Sequence, residues 1–504
     1  MSRFYSAIIF VIMFFVCSCA YGQESISSAT EECLNCHATL HPGIVASWKK
    51  SRHSASTPTQ AAQQQGLDRK VSLSSVPETM KNVTVGCAEC HTLDPKSHRD
   101  TFEHNGHEVH IVVTPKDCGS CHRAEVEQYQ GNLMCQAYGN LMGNSVYQLL
   151  VETINAVPSG KAGAPSEDNR SLTDADSCLY CHGTKMEVAG VRTRETEMGS
   201  MEFPVISGWP NQGVGRINPD GSKGACSACH VRHDFSMEMA RKPYTCKECH
   251  AGPDVPASKV FEASKHGNIF SSESKGWDFK QTQWTVGKDF SAPTCAACHI
   301  SLLVDTEGKV IANRTHEMKD RLPWRIFGII YAHPHPESAD TTIIRNKDGL
   351  PLPTDFEGGL AEKYLINQDQ AAAAQKKMQS ICLACHSHSW VEGHWERFLN
   401  TIKSTNATTL AATQYMLDLW KRDLAVNHEK GGNPFDESIE RTWTDIWLFY
   451  ANTVRFSSAM GGGGDYGVFA DGRYQLNKAV RSMKEWAESK TAKDGMPSGQ
   501  KRVP

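Results

Sequence analysis

Between residues 435 and 456, Ile439, Trp443, Ile446, Trp447, Tyr450 and Val454 recur three to four positions apart, the spacing that gathers apolar side chains on one helical face. Asn433 followed by Pro434 predicts the start of that helix, with the Asn as cap and the Pro in the first turn. The face is strongly aromatic and reads as an ordinary core face ahead of a cofactor box. A second helix is expected over residues 362–381, which include four consecutive alanines. Residues 461–464 are all glycine, so nothing there hinders close approach. The loop either lies against another surface or subunit, or is a plain linker.

Before about Asp355 no long helical period is visible. Turn-rich stretches at 156–177 and 204–224 predict short helices, many loops and little sheet. The expected class is therefore mostly α, divided into residues 23–355 and a long-helix bundle over residues 356–504. The first 22 residues form a third pattern: Arg3, an apolar run over residues 7–16, then Ala20 and Gly22. That is a cleavable secretory signal, cut near Gln23. The competing reading, an uncleaved anchor, needs a run of about 20 apolar residues, longer than this one. No later segment reaches that length, so the mature chain is expected to be soluble and outside the cytoplasm.

Composition narrows the function. Of 504 residues only 39% are hydrophobic, which suggests that something besides aliphatic side chains fills the interior. The net charge of −4 and the scattered Lys and Arg residues argue against nucleic acid as a partner.

The chain has 19 cysteines, which in an exported protein would suggest disulfides. Their spacing says otherwise. Sixteen form eight Cys-x-x-Cys-His units: Cys33, Cys36 and His37; Cys87, Cys90 and His91; Cys118, Cys121 and His122; Cys178, Cys181 and His182; Cys226, Cys229 and His230; Cys246, Cys249 and His250; Cys295, Cys298 and His299; Cys382, Cys385 and His386. Two thiols three positions apart each bond one vinyl group of a porphyrin, and the histidine that follows faces the iron. Paired zinc sites would not require a histidine after every second cysteine. Eight covalently bound c-type haems are expected. Cys17 and Cys19 leave with the signal, and Cys135 remains as a buried thiol.

Eight of the 22 histidines are thereby proximal ligands and fourteen are spare. An electron-transfer haem takes a second strong ligand, whereas a haem that performs chemistry keeps that position open. His53, His107, His110, His233, His266, His316 and His394 sit in contexts suited to the second position. His233 follows the fifth motif by three residues, and His107 and His110 precede the third. Fourteen spares would also serve eight doubly ligated haems, so counting alone leaves a pure electron-storage cytochrome open.

The eight motifs, with Cys-His-Val-Arg-His-Asp-Phe-Ser at 229–236, Ala-Arg-Lys-Pro at 240–243, Ser-Lys-His-Gly-Asn at 264–268 and the aromatic helices behind the eighth motif, resemble the octahaem hydroxylamine oxidoreductase (HAO) family over most of the mature chain. The resemblance implies a haem-packed N-terminal region and homotrimers whose haems form one network. It also implies a catalytic haem on Cys178 and Cys181 with His182 as its only protein ligand. The seven histidines above then serve the other seven irons. Oxidative members carry an Asp-His pair after the sixth motif; here Asp254 is kept and Val255 replaces the histidine. They also cross-link a neighbouring subunit's tyrosine, in a stretch like Asp-Tyr-x-x-Trp-His-Gly, to the catalytic haem. The matching stretch here begins Asp465-Tyr466, with the Trp and His replaced and one residue inserted.

Oxidising hydroxylamine to nitric oxide removes three electrons and three protons and benefits from a strong distal base and a cross-linked haem, both weakened here. Nitrite reduction to nitric oxide takes one electron and two protons, which Asp254 alone could relay. The expected activity is therefore reduction of nitrite, with hydroxylamine or hydrazine oxidation as the alternative. A small inorganic nitrogen substrate and a redox-partner cytochrome c follow as partners. The expected location is a periplasm or an equivalent compartment, the anammoxosome in an anammox bacterium.

Overall fold

The computed structural model describes residues 25–155, 173–196, 199–426 and 430–494. The expected signal over residues 1–22, with Cys17 and Cys19, lies outside the described residues, as do residues 156–172 of the first turn-rich stretch.

The described chain is mostly helical with little sheet. Its N-terminal two thirds carry short helices such as Pro115–Gly119, Arg123–Gln130 and Ser145–Asn155. Four small sheets lie among them. One is the antiparallel ribbon Glu187–Thr196 with Gly199–Ser207, whose register shifts between Val188 and Gly190. The turn-rich expectation over 204–224 therefore meets a strand in its first residues.

The C-terminal region is built on the 34-residue helix His388–Lys421, against which Ala451–Ala459 and Arg473–Asp494 pack. The predicted aromatic face is core. Trp443 and Trp447 are fully buried beside Phe435, Met416 and Trp420, with the Trp420 and Trp443 rings 5.4 Å apart and edge to face. Burial of rings this large is the main apolar stabilisation available to this end of the chain. Ile329, Ile330 and Tyr331 join the same core, so it draws on both sides of Asp355.

The start of the aromatic helix differs from expectation. It begins at Ser438, where Glu437 and Glu440 form the reciprocal cap and the Glu437 amide donates to Glu440 Oε2 at 3.0 Å. Asn433 instead reaches across to Ser145–Asn155, donating to the Leu149 carbonyl at 3.0 Å and to Thr153 Oγ1 at 3.1 Å. Its Oδ1, the atom that would cap, accepts from the Phe435 amide at 3.0 Å and closes a local turn ahead of the helix, while Glu440 serves the helix start. The expected helix over 362–381 is divided similarly. Residues Glu362–Tyr364 make a 3-10 turn, and Asn367 then caps Gln368–Leu383 by accepting from Gln370 N at 2.9 Å.

The aromatic segment is not one regular helix. Ser438–Asp445 passes into a π-helical turn, Ile446–Tyr450, before α-helix resumes at Ala451–Ala459. The change of register rotates the later residues to a new face.

Candidate haem sites

The Cys-x-x-Cys-His units are helical turns, the first inside the helix Ser28–Leu40 and the eighth at the end of Gln368–Leu383. The histidine amide donates back to the carbonyl of the first cysteine at 2.8 Å in the third motif and at 2.9 Å in the fifth, sixth and eighth. That bond sets both thiols and the imidazole around one space. The sixteen cysteines are unbridged and most are partly exposed, while Cys135 is fully buried with its thiol on the Lys223 carbonyl.

The structure then sets second histidines opposite several of the first. Ring centres are 6.1 Å apart for His37 and His104, 6.3 Å for His53 and His122, and 6.5 Å for His91 and His233. They are 6.3 Å apart for His230 and His316 and 6.2 Å for His266 and His386. Two imidazole nitrogens about 2.0–2.1 Å from one metal ion, each on a ring whose centre lies about 1.1 Å further back, place the ring centres roughly 6.3 Å apart. The spacing fits an iron atom between each pair, and no protein group of these pairs needs to move. Burial drags His53 and His230 down to about 4, and like-charged histidine neighbours add to it, so both stay neutral as ligands must.

Of the seven spare histidines named from the sequence, His53, His233, His266 and His316 thus stand opposite a motif histidine. His107 and His394 do not, whereas the His110 ring centre lies 6.0 Å from that of His91, which His233 also approaches. His107 Nε2 bonds the Glu32 carboxylate at 2.9 Å. The hairpin Thr101–His104 with His107–His110 pairs His104 with His107 across its turn, and His104 is the one that meets His37. His110 lies flat on His98, with centres 3.6 Å apart and planes 3° apart, and its carbonyl accepts from His91 Nδ1 at 2.8 Å. That bond turns the other His91 nitrogen toward His233. His394 is separated from His386 by the intervening Trp390 ring, which stacks on both.

Two residues were missed. One is His104. The other is His335, buried beside the turn whose Arg321 donates to the Ala297 and Cys298 carbonyls of the seventh motif. His335 Nδ1 bonds the Pro336 carbonyl at 3.3 Å, the arrangement that frees the far nitrogen for a metal. The His-Pro-His-Pro run at 333–336 was the available signal, since each proline leaves an acceptor for the imidazole before it.

Among the described residues no ring stands at such a spacing from His182. Its Nδ1 donates to the Ala137 carbonyl at 3.3 Å, leaving Nε2 free. The next residue, Gly183, has φ +94°, and a Cβ there would run into the Arg216 backbone, so the chain crosses itself directly behind the motif. Burial lowers the His182 pKa, the Ala137 carbonyl and the Asp254 carboxylate oppose that, and Arg325 adds to it. Asp254 also acts on His250, Cys178 and Cys181, so the fourth and sixth motifs share it. Val255 is half-buried beside it. Tyr466 lies in a second π-helical turn, Tyr466–Ala470, packed on the helix Ala257–Ala263 that follows Asp254. Its hydroxyl donates to Asp471 Oδ2 of its own chain at 3.1 Å, and burial, with that carboxylate, pushes its pKa up to about 12.

Motif thiols also touch between units: Cys118 meets Cys226, Cys181 meets Cys249, and Cys246 meets Cys295. The third site thus adjoins the fifth, and the sixth adjoins both the fourth and the seventh.

These features recur in other proteins. Residues 219–322 match the family model described as "seven times multi-haem cytochrome CxxCH", and residues 32–110 match that of cytochrome c554 and c-prime. A Kuenenia stuttgartiensis protein described as a probable nitrite reductase-hydroxylamine oxidoreductase fusion protein is 24% identical over 430 residues. The match covers 80% of this chain but only 38% of that protein's length. A solved structure of a hypothetical multihaem protein is 39% identical, covering 94% of this chain and 98% of its own, with a TM-score of 0.87. A reducing HAO-like protein complex of Kuenenia stuttgartiensis shares the fold at 18% identity, covering 93% of this chain and 86% of its own, with a TM-score of 0.61.

Proposed function

From the premise that this chain belongs to the multihaem c-type cytochromes of the hydroxylamine oxidoreductase family and binds haem covalently, we propose that it carries eight haems and reduces nitrite to nitric oxide at the one held by His182. The supporting observation is that, among the described residues, no second imidazole stands at ligand spacing from His182 and that the Asp254 carboxylate acts on it. His250 of the sixth motif shares both features, and the family resemblance is what assigns the open position to the fourth motif.

The reaction is NO₂⁻ + 2 H⁺ + e⁻ → NO + H₂O. Bound at His182, haem supplies the open coordination position and the electron. The protein does the rest. Ala137 orients His182, Asp254 relays protons toward the substrate, and Val255 leaves that carboxylate as the proton carrier of this loop. His53, His104, His233, His266, His316 and His335 serve as second ligands on conducting haems. Electrons from a partner cytochrome c reach the fourth site through the sixth, where Cys181 meets Cys249. Homotrimeric assembly and export belong to the same reading. No helix of the described residues is long and apolar enough to cross a membrane.

Hydroxylamine or hydrazine oxidation is the second reading, favoured by the presence of Tyr466. The engagement of its hydroxyl by Asp471 weighs against a cross-link. The test is electron paramagnetic resonance of the oxidised holoprotein with and without nitrite, beside turnover with reduced methyl viologen. One high-spin ferric haem that changes on adding nitrite, with nitric oxide formed, is the expected result. A protein with only low-spin haems would be a conductor, and the proposal would fall.

A further inference from the structure

Two buried polar side chains and one half-buried one stand behind the Asp254 loop, outside the Cys-x-x-Cys-His units. Asn452 and Arg455 are both 0% exposed on helix Ala451–Ala459, and Asn406 faces them from the long helix His388–Lys421. Asn452 Nδ2 donates to the Asp254 carbonyl at 3.0 Å and to the Leu448 carbonyl of the π-helical turn at 2.6 Å. Its Oδ1 accepts from Arg455 Nη1 at 3.2 Å. Arg455 Nη2 donates to Asn406 Oδ1 at 2.8 Å. Asn406 in turn holds both backbone groups of Ala332, donating to its carbonyl at 2.8 Å and accepting from its amide at 3.1 Å.

An ordinary core would not be built this way. Arg455 has no carboxylate partner in its bonds, its Nε has no partner at all, and burial pulls its pKa down to about 9. Enclosing such a group costs free energy that an apolar residue would not. The arrangement holds two walls around His182: the loop carrying Asp254, and the segment from Arg325 to His333, whose Arg325 acts on His182. The π-helical turn is what turns Asn452 toward Asp254, since an extra residue in the turn rotates the helix after it.

We infer that Asn452, braced by Arg455 and Asn406, is a positioning residue that sets the Asp254 carboxylate against the substrate of the His182 haem. This rests on the function proposed above. Asn452 touches no substrate. It acts through the backbone of residue 254, so its effect exists only while residue 254 is a proton carrier.

The test is a double-mutant cycle in the full haem-loaded chain with Asn452→Leu, Asp254→Asn and the pair. Asn452→Leu is expected to lower kcat for nitrite about 10-fold, the worth of one well-placed hydrogen bond, with KM unchanged. In the Asp254→Asn background it is expected to lower kcat no further, and the nitrite-induced change in the high-spin signal should persist in all three. Arg455→Lys should keep most of the activity and Arg455→Met should not. If the two substitutions multiply, Asn452 acts independently of Asp254 and the inference is overturned. The same holds if Asn452→Leu behaves as wild type. If Asn452→Leu yields no soluble protein, Asn452→Ser, smaller and still polar, is read by the same criteria. A wild-type protein with no high-spin haem and no nitrite turnover overturns the proposed function instead, which keeps the two failures apart.

Discussion

His53 and His122 face each other with ring centres 6.3 Å apart and planes 57° apart, as two ligands of one iron would. His53→Ala therefore opens that position. A second high-spin ferric signal beside the wild-type one is expected, with the haem-to-protein ratio unchanged because Cys118 and Cys121 still hold the porphyrin. An unchanged spectrum would remove His53 from the ligands.

Asp254→Asn keeps the shape of the loop, since the bond from Asn452 is to the residue 254 carbonyl. Removing a positioned proton donor is worth on the order of 10²-fold or more in rate. Nitrite kcat should fall by that factor with KM little changed, and steady-state kinetics against nitrite concentration check it. A raised KM with kcat unchanged would point to a binding role.

Tyr466 gives its hydroxyl to Asp471 within its own chain. On denaturing gels stained for haem the protein should run at monomer mass. Tyr466→Phe should leave that band unchanged and lower stability by only about 1 kcal/mol, the worth of one hydrogen bond. A covalent trimer dissolved by the substitution would reverse the assignment to the oxidative reaction.

Gly183→Ala puts a methyl group into the Arg216 backbone at a position with φ +94°. Arg216 is itself buried and bonded to Asn211 and Asn218, so it cannot retreat. Little holoprotein is expected, and what forms should show a perturbed high-spin signal. Gly221→Ala, where the space is open, serves as the control.

His333 sets a pH limit on stability. Burial, with Arg325 close by, pulls its pKa from 6.5 to about 3. In the folded state it stays neutral over that window, while in the unfolded chain it takes up a proton below 6.5. The unfolded state therefore binds more protons, and stability falls as pH drops from about 6.5 toward about 3. The loss is on the order of a few kcal/mol. The midpoint of thermal unfolding should drop across that window and should drop less in His333→Leu.

How far the sequence could be read depended on the distance over which each feature is built. The eight Cys-x-x-Cys-His units are local: a turn closed by one bond from histidine to cysteine needs only five consecutive residues, so their spacing alone identified them. The aromatic face of 439–454 was equally legible, because a helical period is also local, and Trp443 and Trp447 are buried as that period requires. Its cap was not. Asn433 and Glu437 both had the right chemistry, and the fold starts the helix at Ser438 while Asn433 closes a turn on Phe435 and reaches across to Leu149 and Thr153.

The second histidines lay beyond the sequence for the same reason. His266 meets His386, and His53 meets His122, across chain segments that only the packed fold brings together. Local context could not separate His104 from His107, because the two stand opposite each other across a hairpin turn and only the direction of the hairpin aims one at His37. The sequence by itself determined which residues attach haem and that the chain is helical behind them. The tertiary structure decided which imidazoles stand opposite one another, that Asp254 serves both His182 and His250, and that Asn452 holds the backbone of Asp254, since each of these is a separation in space of a few ångströms between residues that chain order keeps far apart.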